Sequence, residues 1–125
     1  MNEVYSPIST RYNMLNRELT AATVKPAVLA ILAGGESYGY EIIQRVLEIS
    51  DEKIEWAEGA LYPMLHRLER QGYIESTWRQ AENGRKRKYY RLRAAGKKEL
   101  DSQRTQWVAA TSLLNKLLGP EPCLT

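Results

Sequence analysis

The sequence between residues 59 and 91 combines a short helix with a basic hairpin, and this combination constrains the fold more than any other part of the chain. Apolar residues recur at three- and four-residue spacing from 59 to 70, which predicts a helix. Two alternating segments, 73 to 79 and 87 to 93, flank Asn83-Gly84, a dipeptide typical of hairpin turns. A helix that leads directly into a hairpin predicts a winged helix-turn-helix, mainly α with a small β-hairpin wing.

Charge is distributed unevenly along the chain. The net charge of +3 is small and says little by itself. Residues 79 to 91, however, contain six Lys or Arg and the single acidic residue Glu82, whereas residues 48 to 58 contain five acidic residues and only Lys53. Positive charge concentrated on a hairpin is typical of a phosphate-binding element. We therefore expect the wing to face a polyanion.

The residues that most catalytic and metal sites need are scarce. The chain has one histidine, His66, and one cysteine, Cys123, which excludes an internal disulfide and metal sites built on several His or Cys ligands. Gly35-Glu-Ser-Tyr-Gly39 matches the letters of a nucleophile elbow, but that turn follows a strand and here an apolar helix pattern precedes it. We predict no enzyme activity, no cofactor and no metal, and interpret Ser37 as a helix cap.

The sequence also lacks the patterns of exported and membrane proteins. No apolar run approaches the ~18 to 20 residues of a membrane span, and the first residues do not pair charge with an apolar core. A lone cysteine fits a reducing compartment. These features predict a cytoplasmic protein with no membrane partner.

Two helices are expected in the first third of the chain. Ser9 would cap a short helix over residues 10 to 21, where Leu15 and Leu19 share a face that requires a partner. Thr23 would cap the next helix, with Pro26 in its first turn, where the missing amide proton costs little.

Two further elements are expected before the helix at residue 59. Ser37 would begin a half-buried helix that runs to about Ile49. Residues 54 to 56 alternate like a very short strand.

The helix that begins near Gly59 has an apolar side and a small, basic side when residues are placed 100° apart. Leu61, Leu65 and Leu68 mark the apolar side, together with Met64. The other side and its edges comprise Gly59, Ala60, Tyr62, Pro63, His66, Arg67 and Arg70. Small residues would let the helix enter a major groove about 12 Å wide, and Arg67 is the expected base or phosphate contact. The alternative is a basic face that only solvent covers.

The turn of the hairpin has no core to pack against. The residues expected to contact DNA there are Asn83, Gly84, Arg85, Lys86, Arg87 and Lys88. Four consecutive cations repel one another, so a hairpin that displays them fits a position beside a polyanion. Aromatic residues among cations can also indicate stacking on single strands, although packing between strands explains the alternating tyrosines better.

The last predicted helix, residues 94 to 118, carries an apolar stripe with a seven-residue period. The stripe comprises Leu100, Trp107, Ala110, Thr111, Leu114, Leu117 and Leu118. A helix of about 37 Å would extend beyond so small a core, so self-association into a homodimer would bury the stripe. Trp107 would then lie near its symmetry mate, either as interface core or as the wall of a pocket for a planar aromatic ligand.

The chain is long enough for one domain. We divide it into an N-terminal arm and short helix (1–22), a winged helix-turn-helix (23–93), a C-terminal dimerisation helix (94–118) and a tail (119–125).

Three blocks of the sequence resemble those of the PadR-like transcriptional regulators, a bacterial winged helix-turn-helix family. The first is Ser37-Tyr-Gly-Tyr-Glu41, at the start of a helix. The second runs from Glu58-Gly-Ala-Leu-Tyr-Pro-Met-Leu-His-Arg-Leu-Glu69 to Gly72-Tyr-Ile74. The third is Gly84-Arg-Lys-Arg-Lys-Tyr-Tyr-Arg-Leu92, followed by Ala95-Gly96. The likeness covers about residues 23 to 118.

The resemblance implies a homodimer held by the C-terminal helix, with help from the N-terminal one through Leu15 and Leu19. It also implies a pseudo-palindromic operator on double-stranded DNA, with the helix of residues 59 to 71 in the major groove and the wing against the flanking backbone or minor groove. By the same likeness, the DNA-facing positions include Tyr40, Tyr62, Pro63 and Arg67.

The function expected from these features is a sequence-specific DNA-binding regulator, a repressor that a small-molecule effector releases. The alternative is a winged helix that binds a protein partner. That alternative leaves the cations at residues 85 to 88 unexplained.

Overall fold

The computed structural model describes residues 13–119. Within this range it contains four helices and one three-stranded antiparallel sheet with the strand order β1-β3-β2. In chain order the elements are α1 (Arg17–Ala33), β1 (Ser37–Tyr38), α2 (Gly39–Ile49), α3 (Glu58–Arg70), β2 (Ile74–Gln80), β3 (Lys86–Leu92) and α4 (Ala94–Leu118). The predicted winged helix with a long C-terminal helix is confirmed.

The first helix is one continuous element, so the prediction of two helices divided near Thr23 was wrong. The side chain of Asn16 accepts a hydrogen bond of 2.9 Å from the amide of Leu19 and caps the helix. The Thr23 hydroxyl donates to the Thr20 carbonyl at 2.9 Å instead of capping a new start. Ser9, the other expected cap, lies outside the described residues, and α1 crosses the expected division at residues 22 and 23.

Pro26 lies inside α1 and not in its first turn. A proline there removes a backbone hydrogen bond and costs about 3 kcal/mol. The helix continues because Val28 and Leu29 have no exposed surface and Leu32 is also buried. Burial of each such side chain stabilises the fold by about 1.5 to 3 kcal/mol, which offsets the proline.

Ser37 belongs to a strand and does not cap a helix. It pairs with Tyr90 of β3, and Tyr38 pairs with Tyr89. The hydroxyl of Ser37 is buried and donates to the Glu41 carboxylate at 2.6 Å. The expected cap at this position was therefore wrong, because α2 begins two residues later.

The loop before α3 contains no strand, in contrast to the prediction for residues 54 to 56. The side chain of Asn13 donates to the Glu55 carbonyl at 3.1 Å and accepts from the Glu55 amide at 2.8 Å. The neighbouring amide of Met14 donates to the Lys53 carbonyl at 2.8 Å. These bonds hold the loop in an extended course, and Trp56 enters the core.

The wing is a seven-residue strand pair whose register runs from Ile74 opposite Leu92 to Gln80 opposite Lys86. A loop of residues 81 to 85 joins the strands. The Gly84 amide donates to the Ala81 carbonyl at 2.9 Å, and Gly84 adopts a φ of 84°. That φ favours glycine, which explains the Asn83-Gly84 pair in the sequence.

The core lies between α1, α2, α3, the sheet and the start of α4. Leu61, Leu65 and Leu68 point into it from α3 and have no exposed surface. Leu100 of α4 is only 8% exposed and packs in the same cluster. The first member of the expected dimerisation stripe therefore belongs to the core of the single chain.

Beyond Leu100, the apolar side of α4 is uncovered. Its large exposed side chains are Val108, Leu113, Leu114, Leu117 and Leu118. In the first turn of α4, Gly96 packs directly against the backbone of Tyr73, because a Cβ at position 96 would overlap the Tyr73 carbonyl oxygen.

Candidate nucleic-acid interface

The exposed side of α3 is the one that the sequence pattern predicts. Since Leu61, Leu65 and Leu68 face the core, the opposite side is open to solvent. Its exposed residues are Gly59, Pro63, His66, Arg67 and Arg70. The face is narrow where the helix starts and basic where it ends, so its first turns can approach another surface closely.

Arg67 and Arg70 lie in the last turn of α3. The only side-chain hydrogen bond of the Arg67 guanidinium within residues 13–119 is a long one of 3.8 Å to the sulfur of Met64. Neither arginine forms an ion pair with a described residue. Both are therefore available to an external anion or a base edge.

Tyr62 is half-buried and holds α2 against α3. Its hydroxyl lies beside Gly39, where an added Cβ would overlap the phenol ring. Burial, and to a lesser extent the negative charge of Glu58, raises the pKa of Tyr62 above its ordinary value. Tyr62 is therefore neutral at physiological pH, and its hydroxyl can donate a hydrogen bond.

Tyr40 and Ala60 complete the part of the expected site that lies on helices. Tyr40, in the first turn of α2, is 61% exposed. Ala60, in the first turn of α3, is half-buried. Tyr40 opens onto the same cleft as Tyr62 and His66.

The cations of the wing fall into two groups. Arg87 stacks over the Tyr38 ring at 4.4 Å from its centroid. Lys88 lies 3.8 Å from the Glu69 carboxylate and 5.6 Å from the centre of the Tyr90 ring. These two side chains are partly engaged within the chain.

Arg85 and Lys86, in contrast, are exposed and form no ion pair within the described range. They lie at the end of the wing, where the Asn83 side chain accepts from the Arg85 amide at 3.0 Å. Gln80 donates to the Gly84 carbonyl at 3.2 Å. The loop is thus held in one shape, and it presents two cations whose charge no residue between 13 and 119 neutralises.

A neighbouring arginine that the sequence interpretation left out supports the outer face of the wing. Arg79 forms an ion pair with Glu36 and stacks over the Tyr89 ring at 4.1 Å. Tyr89 in turn meets Tyr38 edge to face, with ring centroids 5.3 Å apart. This face binds the wing to β1, whereas on the opposite face Lys88 contacts Glu69 of α3 and Trp78 stays exposed.

A cleft of about 730 Å³ separates α3 from the wing. It is lined by Tyr38, Gly39, Tyr40, Tyr62, His66, Trp78, Arg85, Lys86, Arg87, Lys88 and Tyr90. The structure thus brings half of the predicted DNA-contacting residues around one concave surface. Pro63, Arg67 and Arg70 lie on the exposed side of α3 outside that lining, and Asn83 and Gly84 lie at the loop. Gly59 and Ala60 line a different pocket, between the start of α3 and α1.

Trp78 is the main residue of this cleft that the sequence interpretation missed. It lies on the same side of β2 as the buried Ile74, yet it is 63% exposed. The signal for the exposure of Trp78 was the length of the wing, because strands of seven residues extend beyond the small core that they cover.

The expected dimerisation residues lie apart from this cleft. Leu19 on α1 is 51% exposed, Leu15 before the helix is half-buried, and Trp107 on α4 is half-buried. The rest of the α4 stripe is exposed, at Ala110, Thr111, Leu114, Leu117 and Leu118.

Two other features are absent from residues 13–119. This part of the chain contains no group of three or more His, Cys, Asp or Glu side chains placed to hold a metal ion. It also contains no helix long and apolar enough to cross a membrane.

The likeness to known proteins agrees with this geometry. The model of the transcriptional regulator PadR-like family matches residues 28–102. A transcriptional regulator of Mycobacterium tuberculosis is 35% identical over 103 residues, which cover 82% of this chain and 90% of that protein.

Solved structures show the same fold. A transcriptional regulator from Clostridium thermocellum is 30% identical and superimposes with a TM-score of 0.77 over 85% of this chain and 100% of its own. A PadR family regulator from Eggerthella lenta is 32% identical, with a TM-score of 0.69 over 83% of this chain and 88% of its own.

Proposed function

We propose that this chain, which belongs to the PadR-like family of transcriptional regulators, is a homodimeric repressor that binds a pseudo-palindromic operator and leaves it when a small molecule binds. The observation that carries the DNA-binding part is the cleft between α3 and the wing, where Arg85 and Lys86 of the wing form no ion pair with a described residue. Membership of the family makes the chain a DNA-binding regulator. Repression, the operator symmetry and the effector are our proposals.

The proposed reader of sequence is α3. A helix is about 10 to 12 Å across, and the major groove is about 12 Å wide, so a face with small residues is needed for close approach. Gly59 and Pro63 provide that face. Tyr40, Tyr62 and His66 would then meet the phosphates or base edges at the groove wall, and Arg67 would donate to a base edge.

The proposed backbone contact is the wing. Arg85 and Lys86 carry charge that no described residue neutralises, whereas Arg87 and Lys88 are partly engaged by Tyr38 and Glu69. We assign the phosphate contacts mainly to the first pair. Asn83 and Gly84 would set the shape of the loop.

We propose that a second copy of the chain covers the apolar side of α4. The exposed leucines at 114, 117 and 118, with Ala110 and Thr111, form a surface that a monomer would leave in water. Leu15 and Leu19 would add to it from the other end of the chain. A two-fold dimer would bind two half-sites about 34 Å apart.

The proposed effector is a planar aromatic compound at Trp107, between the two copies of α4. Trp107 is half-buried in the single chain, on the exposed half of the helix. The alternative is that Trp107 is simply part of the interface core. Fluorescence titration of a variant in which Trp56 and Trp78 are replaced by Phe distinguishes the two, because quenching would then report Trp107 alone.

A salt series tests DNA binding itself. If a dimer neutralises about six to ten phosphates, the logarithm of affinity falls against the logarithm of salt concentration with a slope near minus five to minus nine. A flat dependence would favour the alternative, a winged helix that binds a protein. The slope is measured by fluorescence anisotropy on a duplex recovered from a random pool.

Two remaining assignments follow from this function. A regulator of transcription works in the compartment that holds the DNA, and we propose the cytoplasm. We also propose the division into the winged helix-turn-helix of residues 23–93 and the dimerisation helix of 94–118, with an arm (1–22) and a tail (119–125). The boundary at residue 22 falls inside α1, so the arm and the winged helix-turn-helix share that helix.

A further inference from the structure

Trp78 lies on the face of the wing that points toward α3. It lies on the same face of β2 as Ile74 and Ser76, and it pairs across the strands with Lys88. Ile74 is buried in the core, but Trp78 is 63% exposed because the core ends before its position. A large indole therefore lies open on the inner wall of the cleft.

The contacts of the neighbouring residues do not explain why a tryptophan is exposed at position 78. The outer face of the wing is held by Arg79, Tyr89 and Tyr38, so the wing does not need Trp78 to dock on β1. The core under the sheet is closed by Tyr90, which is 2% exposed. Trp78 thus offers apolar surface and one indole N–H donor to whatever enters the cleft.

The shape of the cleft suggests its occupant. In the proposed complex α3 enters the major groove and the wing lies against the neighbouring minor groove. One sugar–phosphate strand separates those two grooves, and it must pass between the helix and the wing. The cleft between them, about 730 Å³, is the space available for that strand.

We infer that Trp78 is a DNA-contacting residue that packs against a deoxyribose of this strand, while Lys86 and His66 meet the adjacent phosphates. The inference rests on the proposed function and deepens it. A deoxyribose has an apolar C–H surface that suits an indole, and the flanking phosphates suit the cations of the same cleft. Such a contact adds affinity without neutralising charge, which separates it from the contacts of Lys86.

The salt dependence of binding distinguishes the two kinds of contact. Trp78→Ala should lower affinity about tenfold, equivalent to about 1.4 kcal/mol, at every salt concentration. The slope against salt should stay that of the wild type, because no phosphate contact is lost. Lys86→Ala should instead flatten the slope. Ile49→Ala is the matched control, since Ile49 is also a large exposed apolar residue, at 69%, but lies at the end of α2.

Fluorescence gives a second measurement. In a Trp56→Phe/Trp107→Phe variant, saturation with the duplex should quench or blue-shift the emission of Trp78. If that variant does not fold, the difference between the spectra of wild type and Trp78→Phe, each with and without DNA, gives the same information.

The outcomes are separable. Unchanged affinity of Trp78→Ala across the salt series, with unchanged Trp78 emission on a duplex that the wild type does bind, would overturn the contact and leave the proposed function intact. Failure of the wild type to recover any duplex, with binding of an acidic peptide instead, would overturn both.

Discussion

The phenol ring of Tyr62 fills the space in which a side chain on Gly39 would lie. Even a single Cβ atom at position 39 would overlap the Tyr62 hydroxyl and the ring carbon that bears it. The Tyr62 ring of α3 therefore lies directly against the backbone of the first turn of α2. The angle between these helices depends on this contact.

Gly39→Ala should destabilise the fold by about 1 to 3 kcal/mol, because the buried contact leaves no room for a methyl group. Urea denaturation followed by circular dichroism measures the change. Tyr62→Phe removes the atom nearest to the new methyl, so it should recover part of the loss in the double variant. Equal stability of Gly39→Ala and the wild type would contradict the tight contact.

Arg67→Ala should weaken binding to the selected duplex by about 1 to 3 kcal/mol and relax the preference at one position in each half-site. The reason is that its guanidinium has no ion pair within the described residues and points away from the core. Anisotropy on duplexes with single base changes measures both effects. Arg104→Ala, which removes an exposed arginine paired with Asp101 on α4, is the control. An equal loss on every duplex would make Arg67 a phosphate contact.

Lys86→Ala should weaken binding to all duplexes alike. Loss of one phosphate contact in each subunit of a dimer should reduce the salt slope by about 1.8. Lys86→Arg keeps the charge and should keep the slope. A lysine that contributes only to the folding of the wing would instead lower the melting temperature and leave the slope unchanged.

Glu99→Gln should destabilise the protein at neutral pH by about 0.2 to 1 kcal/mol. Glu99 on α4 accepts a hydrogen bond from Lys25 on α1 at 2.8 Å. That bond is the main reason why the pKa of Glu99 lies below its ordinary value.

The sign of the pH dependence follows from the lowered pKa. The stabilisation is present above the pKa of the unfolded chain and is lost as pH falls through the folded-state pKa. Wild type and Glu99→Gln should therefore differ in urea denaturation at neutral pH and converge as the pH falls below the folded-state pKa of Glu99. A difference that grows in acid would show that the carboxylate does not act through Lys25.

Leu114→Asp should convert the proposed dimer into a monomer, because it places a charge in the middle of the apolar side of α4. Sedimentation velocity measures the mass. Ser112→Glu adds a charge to an exposed position two residues earlier, outside the heptad stripe, and should leave the dimer intact. A monomeric wild type would remove the dimer from the proposal.

The elements that matter most for DNA binding could be predicted from the sequence because their signals are local. The spacing of Leu61, Leu65 and Leu68 defines the buried side of α3 within three turns. The Asn83-Gly84 pair marks a loop in which only Gly84 takes the left-handed conformation. The length of α4 follows from its continuous pattern and from Gly119 at its end.

The features that were missed depend on residues far apart in the chain. β1 has two residues and exists only because Ser37 and Tyr38 pair with β3. Leu100 fits the heptad period of a dimer surface, but the chain folds back so that its own core covers it. A proline in a helical pattern often indicates the first turn of a helix. Pro26 instead lies inside α1, where the packing of the residues after it outweighs the free-energy cost of the lost hydrogen bond.

The division of the wing cations was also out of reach of the sequence. Residues 85 to 88 look equivalent as a run of like charges. Their strand positions place Arg87 on the outer face, over Tyr38, and Lys88 beside Glu69. Only the partners of each side chain, which come from β1 and α3, separate a residue that supports the wing from one that can bind phosphate.

The two hydrogen bonds between Asn13 and Glu55 join positions 42 residues apart. Closing so large a loop costs conformational entropy, and a few hydrogen bonds at the edge of the fold return little of it. We therefore expect this segment to join the protein after α2 and α3 have folded, and to open before they do. Amide hydrogen exchange at Glu55 should then be faster than at Leu65, so that the loop leading into α3 loosens while the helix itself stays folded.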